Sequence, residues 1–234
     1  MLDLEFQNLP TWAKRLAVFD LETTGLDLAT ARIVTACVAV LDANGEVTEQ
    51  MEWLVNPGIA IPEVATSVHG ITTEKAVADG IAADAAVTEI TSRLKELNLE
   101  MPLVAFNAPY DFTILQEEAV RYDLAPLSPK PVIDPLVIDR ELRFGSGKRN
   151  LSILCSLYGV ELQDAHNSTA DAVAAGRLAQ AQAAKYPKLD VAIDDLHLLQ
   201  VQWSEKWTKS FHDWLAKENR PVNRAEIGWP LRAS

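Results

Sequence analysis

Apolar residues fall into two rhythms along this chain. Some form short continuous runs closed by polar residues or glycine, and others recur every three or four positions. Residues 16–19 (LAVF) are the first continuous run and suit a buried strand. Residues 32–41 (RIVTACVAVL) read as a second strand. Residues 42–45 (DANG) supply a hairpin turn, since Asn and Gly tolerate positive φ. Residues 46–55 alternate loosely as a third strand stopped by Pro57, so an antiparallel three-strand meander is predicted. Residues 62–71 lead into His69, Gly70 and Ile71, with Thr72 or Thr73 placed to cap a short helix. Ala86, Ile90, Leu94 and Leu97 have helical spacing within residues 82–97. Residues 101–106 (MPLVAF) predict another buried strand. A helix follows, starting near Pro109 and keeping Phe112, Leu115 and Ala119 on one face.

Residues 131–137 (PVIDPLV) read as a final strand, and residues 140–150 (RELRFGSGKRN) as a flexible basic loop. A short helix over residues 151–158 stops at Gly159. Ser168 or Thr169 is placed to cap an Ala-rich helix running to Lys185. Tyr186, Pro187 and Lys188 mark a boundary, dividing a main domain (1–187) from a helical extension (188–234) packed on it. In that extension Trp203, Trp207, Phe211 and Trp214 share one helical face, suited to core packing or to a protein partner. The first 15 residues, with Phe6 and Trp12, read as a leader packed against the sheet.

Composition narrows the partners. Of 234 residues 48% are apolar, enough for a core, and no run approaches the roughly 18 needed to span a membrane. The acidic start MLDLEFQNLP lacks the basic region of a secretory signal. Cys37 and Cys155 lie inside apolar patterns and read as core residues of a reducing cytoplasm. Acids outnumber bases 33 to 21, for a net charge of −12, which disfavours a broad basic face gripping duplex DNA. A small site where divalent cations invert the local field still admits a chain end or short strand.

The candidate chemistry begins at DLETTG. Asp20 and Glu22 share one face of their strand, because side chains alternate. Two such carboxylates stay ionised only with a cation between them, unless one takes up a proton. A bare D-x-E is otherwise a solvated strand end. Asp111 sits in the first turn of a helix leaving a strand, where the helix dipole alone also accounts for an acid. His166 lies in the loop before the Ala-rich helix and Asp171 in that helix's opening turn. His69 reads either as a loop residue with its own hydrogen bond or as a substrate contact. Asp134 suits orienting a loop, and Lys148 and Arg149 suit either phosphate contacts or plain solvation.

DLETTG from Asp20, NAPYD ending at Asp111, and H-x-x-x-x-D from His166 to Asp171 resemble, in order, the three exonuclease motifs of the DEDDh family. That family includes the proofreading epsilon subunit of bacterial DNA polymerase III, RNase T and oligoribonuclease. HGIT at His69 and the LSILCSLYG helix also fit, and the likeness covers about residues 15–185. Phe106 stands where many members have His, and Tyr110 where Phe is usual. Ser168 and Ala170 replace the small and acidic residues common in the last motif. These departures bear on substrate preference, and none removes a ligand or the base.

The resemblance implies an α/β, RNase H-like fold, a mixed sheet of roughly five strands flanked by helices. It implies Asp20, Glu22, Asp111 and Asp171 as ligands of two divalent ions, Mg²⁺ or Mn²⁺, and His166 as general base. Thr23, Thr24, Gly25 and Leu26 would line the terminal nucleotide, with His69 and Asn107 near it. The implied activity is 3′–5′ exonuclease action on single-stranded ends, DNA ahead of RNA, either free-standing or beside a polymerase subunit. RNA end trimming and a non-catalytic interaction module are the alternatives. A phosphatase of the D-x-D-x-T kind is disfavoured, because Glu22 stands at the second Asp.

Overall fold

Strand β1 (Leu16–Thr23) organises the molecule. In the computed structural model, which describes residues 9–143, 147–162, 166–222 and 227–232, it lies in the middle of a mixed sheet. On one side it pairs antiparallel with β2 (Ile33–Leu41), which pairs antiparallel with β3 (Val47–Asn56), giving the expected meander. The two-residue β4 (Ile81–Ala82) joins β3 in parallel at that edge. On the other side β1 pairs in parallel with β5 (Leu103–Val104), and β5 with β6 (Val132–Ile133). The sheet has six strands in the order β4-β3-β2-β1-β5-β6, one more than the roughly five expected, because so short a strand leaves no periodic signal.

Helices α1 (Glu63–His69), α2 (Thr73–Asp79), α3 (Ala83–Asn98) and α4 (Pro109–Arg121) connect these strands. After β6 come α5 (Pro135–Leu142), α6 (Leu151–Tyr158), α7 (Ser168–Lys185) and α8 (Ile193–Lys217). Alternation along β1 sorts its side chains. Ala17, Phe19 and Leu21 pack with Ile90 and Leu94 of α3 and Phe112 and Leu115 of α4. Leu16 and Val18, with Cys37 and Leu41 of β2, pack with Ala172 and Ala179 of α7. Continuing that second series by twos brings Asp20 and Glu22 onto the α7 side. Gly176 lets α7 approach closely, since a Cβ there would collide with Val18 and Leu41.

Several local expectations change. Only two residues of PVIDPLV are strand. Asp134 then caps α5 by accepting from Leu136 N at 2.9 Å, with Pro135 in the first helical turn. The presumed loop 140–150 therefore begins as helix, and residues 144–146 lie outside those described. Asn167, rather than Ser168 or Thr169, caps α7 by accepting from Thr169 N and Ala170 N. Thr72 does cap α2, and Gly159 ends α6 in the left-handed conformation.

Phe6 of the leader lies outside the described residues. Trp12 is buried in the α7-side core and donates to Leu189 O at 2.8 Å. Helix α8 covers the β6 edge. His197 Nδ1 accepts from Val132 N at 3.2 Å, and Gln200 accepts from Asp134 N at 2.7 Å while donating to Val132 O at 3.0 Å. These side chains satisfy backbone groups that an open sheet edge would leave exposed. Further along α8, Trp207, Phe211 and Trp214 stack in succession, with the Arg140 guanidinium 3.6 Å from the centre of Trp207. No helix among the described residues is long and apolar enough to cross a membrane.

Candidate active site

Parallel pairing of β1 with β5 stops at Val18 and Val104, and a side chain takes over beyond it. Asp111, 2% exposed in the first turn of α4, accepts from Leu21 N through Oδ1 at 3.1 Å. The α4 start has no side-chain cap of its own. Instead, buried Asp134 accepts from Asn107 N and Ala108 N, both at 3.0 Å. Asn107 adopts φ 62°, a left-handed turn that Asn tolerates better than most residues.

Asp171 enters from the opposite layer, in the first turn of α7. Its Oδ2 accepts from His166 N at 3.3 Å, while its buried Oδ1 has no hydrogen-bond partner. His166 itself is exposed and holds φ 73°. One ligand atom each from Glu22, His166 and Asp171 lie within 4.8 Å of one another. The imidazole thus stands against the acids.

Electrostatics tie the four acids together. Loss of hydration, then the charges of Asp111, Asp171 and Glu22, push Asp20 well above the ordinary carboxylate range. Burial also raises Asp111 well above it, opposed by the Leu21 N–H and reinforced by Asp134 and Glu22. Burial, then Asp171, moves Glu22 to about 7, and burial raises Asp171 against the relief given by His166. Among the described residues no Lys or Arg forms an ion pair with any of the four. Crowded hard oxygen donors, one buried and unpartnered, with no cationic side chain paired to them, fit divalent ions such as Mg²⁺ or Mn²⁺.

The remaining candidates surround this cluster unevenly. His69 ends α1, and its Nδ1 accepts from Ile71 N at 3.1 Å. Its Nε2 is buried, and burial lowers its pKa against the opposing effect of the Thr23 backbone. It shares the wall of a cleft of about 220 Å³ with Glu22, Trp53, Lys75, His166 and Thr169. Thr23, Thr24, Gly25, Leu26 and Asn107 are not in that wall. Thr24 Oγ1 accepts from Arg32 N at 3.0 Å, and Leu26 is 86% exposed. Thr23 Oγ1 and the Tyr110 hydroxyl lie 2.6 Å apart, each 2.9 Å from Gly25 O.

Sequence reasoning did not find this tyrosine clasp, although Tyr in place of the usual Phe was its one visible sign. Arg149, read as either a phosphate contact or a solvated loop residue, donates to Asp139 at 2.8 Å, and Lys148 is exposed. Cys37 and Cys155 are buried free thiols.

Residues 17–179 match the model of the family described as Exonuclease (RNase_T). A DNA polymerase III PolC-type from Streptococcus pneumoniae (strain D39) is 30% identical over 161 residues, 69% of this chain and 10% of the relative. The PolC-type polymerase of Staphylococcus aureus is 32% identical over 155 residues, 66% of this chain and again 10% of the relative. The chain spans about a tenth of the length of the curated relatives it matches. Among solved structures, one of exonuclease I aligns with a TM-score of 0.66 at 21% identity, covering 76% of this chain and 42% of that one. E. coli exonuclease I in complex with a dT13 oligonucleotide aligns at 0.60 and 19% identity, covering 71% and 40%. These structural likenesses show a shared fold. The family match ends inside α7, leaving α8 and the residues after it outside.

Proposed function

The chain belongs to the DEDD-type 3′–5′ exonuclease family, and on that premise we propose that it removes nucleoside 5′-monophosphates from the 3′ end of single-stranded DNA. One observation carries the reading: Asp20, Glu22, Asp111 and Asp171 crowd together beside His166 with no basic side chain paired to them. In the proposed roles the four acids are metal ligands and His166 is the general base. Two divalent cations held there, Mg²⁺ or Mn²⁺, would acidify a water and stabilise charge on the attacking and leaving oxygens.

His166 takes the water's proton. Histidine is the side chain best suited to proton transfer near neutral pH. Its backbone N–H is tied to Asp171, so the turn that sets this acid also sets the base. The water oxygen bonds to phosphorus, the bond from phosphorus to the 3′-oxygen breaks, and that oxygen leaves to be protonated.

Thr23, Thr24, Gly25 and Leu26 receive the terminal nucleotide. Leu26 offers an exposed apolar surface to a base, and Tyr110 holds the turn. His69 stands beside the Thr23 backbone in the same cleft wall as Glu22 and His166, and Asn107 sits at the head of the Asp111 helix. DNA is favoured over RNA because the relatives are DNA polymerases and a similar fold holds dT13. The PolC-type relatives also favour action beside a polymerase. The free buried thiols accord with a cytoplasmic setting.

A 5′-labelled single strand tests this. With Mg²⁺ or Mn²⁺ it should shorten stepwise from the 3′ end, and EDTA should stop the ladder. Faster trimming of RNA would reassign the substrate, and cleavage of a circular strand would contradict exonuclease action. Absence of metal-dependent turnover would leave an interaction module.

A further inference from the structure

Trp229 lies fifty residues past the end of the family match, yet it reaches the support of the proposed centre. Its side chain is 8% exposed, its ring lies 5.1 Å from that of His197, and its Nε1 donates to Asp134 Oδ2 at 3.2 Å. Asp134 is the hub that fixes the turn ahead of Asp111. Oδ1 accepts from Asn107 N and Leu136 N, and Oδ2 from Ala108 N and Trp229. Each carboxylate oxygen therefore carries two donors, one of the four coming from the C-terminal segment. That segment has a second anchor on the same helix, where Arg232 N donates to Thr113 Oγ1 at 2.9 Å. The two anchors bracket Asp111, one at Asn107 and Ala108 before it and one at Thr113 after it.

We infer that residues 227–232 are a positioning element for the Asp111 carboxylate, with Trp229 as the positioning residue that acts through Asp134. The inference rests on the proposed role of Asp111 as a metal ligand. The helix α4 has no side-chain cap, and Asp134 instead fixes Asn107 and Ala108 through their N–H groups, while the carbonyls of these two residues accept from Tyr110 N and Phe112 N in its first turn. Removing one of the donors that hold Asp134 frees its carboxylate to turn, and the N–H groups it holds move with it. Sites of this kind need their ligands fixed to within about 0.5 Å. Partners one layer behind a metal ligand are worth roughly 10–100-fold in affinity or activity, and Trp229 stands one step further back, so about tenfold is expected.

Trp229→Phe keeps an aromatic ring and removes the N–H together with part of the buried indole volume, so its melting temperature is read beside the binding. The full chain carrying it should bind Mn²⁺ about tenfold more weakly, read by electron paramagnetic resonance of the free ion. Its kcat on a 5′-labelled oligonucleotide should fall by a similar factor while KM stays within about twofold. Wild-type Mn²⁺ affinity and kcat would overturn the inference, and so would a lowered melting temperature with both unchanged. If Trp229→Phe does not fold, Thr113→Val removes the other anchor at nearly constant volume. Weakened Mn²⁺ binding in that variant supports the inference, and wild-type binding overturns it. A wild-type chain without Mn²⁺ binding or turnover would instead count against the exonuclease reading itself.

Discussion

Buried acids are treated in two opposite ways in this molecule. On α5, Asp139 accepts from Arg143 at 2.9 Å, Arg149 at 2.8 Å and the Tyr158 hydroxyl at 2.9 Å. On α4, Glu118 pairs with Arg32 at 2.6 Å and also with Arg121. Burial alone would raise Asp139, but the bonds from Arg143, Arg149 and Tyr158 hold it below the usual carboxylate range. Asp20, Glu22, Asp111 and Asp171 have no such partners, and all four are raised. The fold supplies two arginines to each acid in the first group and none to those in the second. The first group is neutralised from within, and the second, in the proposed reading, takes a cation from outside. Arginine placement sets Asp139 and Glu118 apart from the crowded four, while buried Asp134 stands alone, each of its oxygens held by two N–H donors.

Substitutions sharpen the contrast. The largest effect is expected at Asp20→Asn, which should reduce Mg²⁺-dependent exonuclease turnover to background while leaving the metal-free protein at least as stable as wild type, because a repelling charge is gone. His166→Ala should cut turnover by roughly 10²–10⁴-fold, the usual worth of a general base, with Mn²⁺ binding largely kept. Loss of both in that variant would make His166 a ligand instead. Asp139→Ala should act in the reverse sense. Urea denaturation should show a loss of roughly 1.5–3 kcal/mol, because the buried Tyr158 hydroxyl and two partly exposed guanidinium groups lose a charged acceptor, while protein that remains folded keeps its turnover. Equal destabilisation at Asp20 and Asp139 would break the comparison.

The smallest effect is in pH dependence. Glu22 titrates near 7 in the fold, against 4.5 as its ordinary value. Between those values the folded chain binds more protons than the unfolded one, so stability falls as pH rises through that window. Asp20, Asp111 and Asp171 have the same sign. Asp139 has the other: its contribution is complete above its ordinary 3.8 and is lost as pH falls through its lower folded value. In EDTA the urea midpoint should therefore rise from about pH 8 to about pH 5.5, and Mg²⁺ should flatten that slope. A midpoint that climbs with pH in EDTA would contradict the raised carboxylates.

The strand that carries Asp20 and Glu22 was legible because a short apolar run, residues 16–19, leads straight into the two acids. Side-chain alternation puts Asp20 and Glu22 on one face of the strand, and the packing of Leu16 and Val18 shows that this is the α7 side. PVIDPLV was misassigned because a short apolar run suits a strand or a buried helix equally. The Asp-Pro pair, a cap followed by a first-turn proline, was the better guide. Asn167 was passed over beside two hydroxyl residues that cap equally well by type. Arg149 read as a free cation because nothing local announces Asp139, ten residues earlier and on another element. Asp134 was rightly taken as a loop organiser, but its link to Trp229 spans 95 positions and has no periodic trace. Local rhythm reaches the residues that make an element, and long-range polar contacts become visible only once the elements are packed.

The central claim is that the crowded cluster of Asp20, Glu22, Asp111 and Asp171, which has no arginine partner among the described residues, is what holds cations. Equilibrium Mn²⁺ binding near pH 8, counted by electron paramagnetic resonance on wild type, Asp20→Asn and Asp139→Asn, tests it most directly. The account predicts that wild type and folded Asp139→Asn retain the same tightly bound Mn²⁺, two ions per chain, and that Asp20→Asn loses it. Wild type binding no more Mn²⁺ than Asp20→Asn would contradict the account.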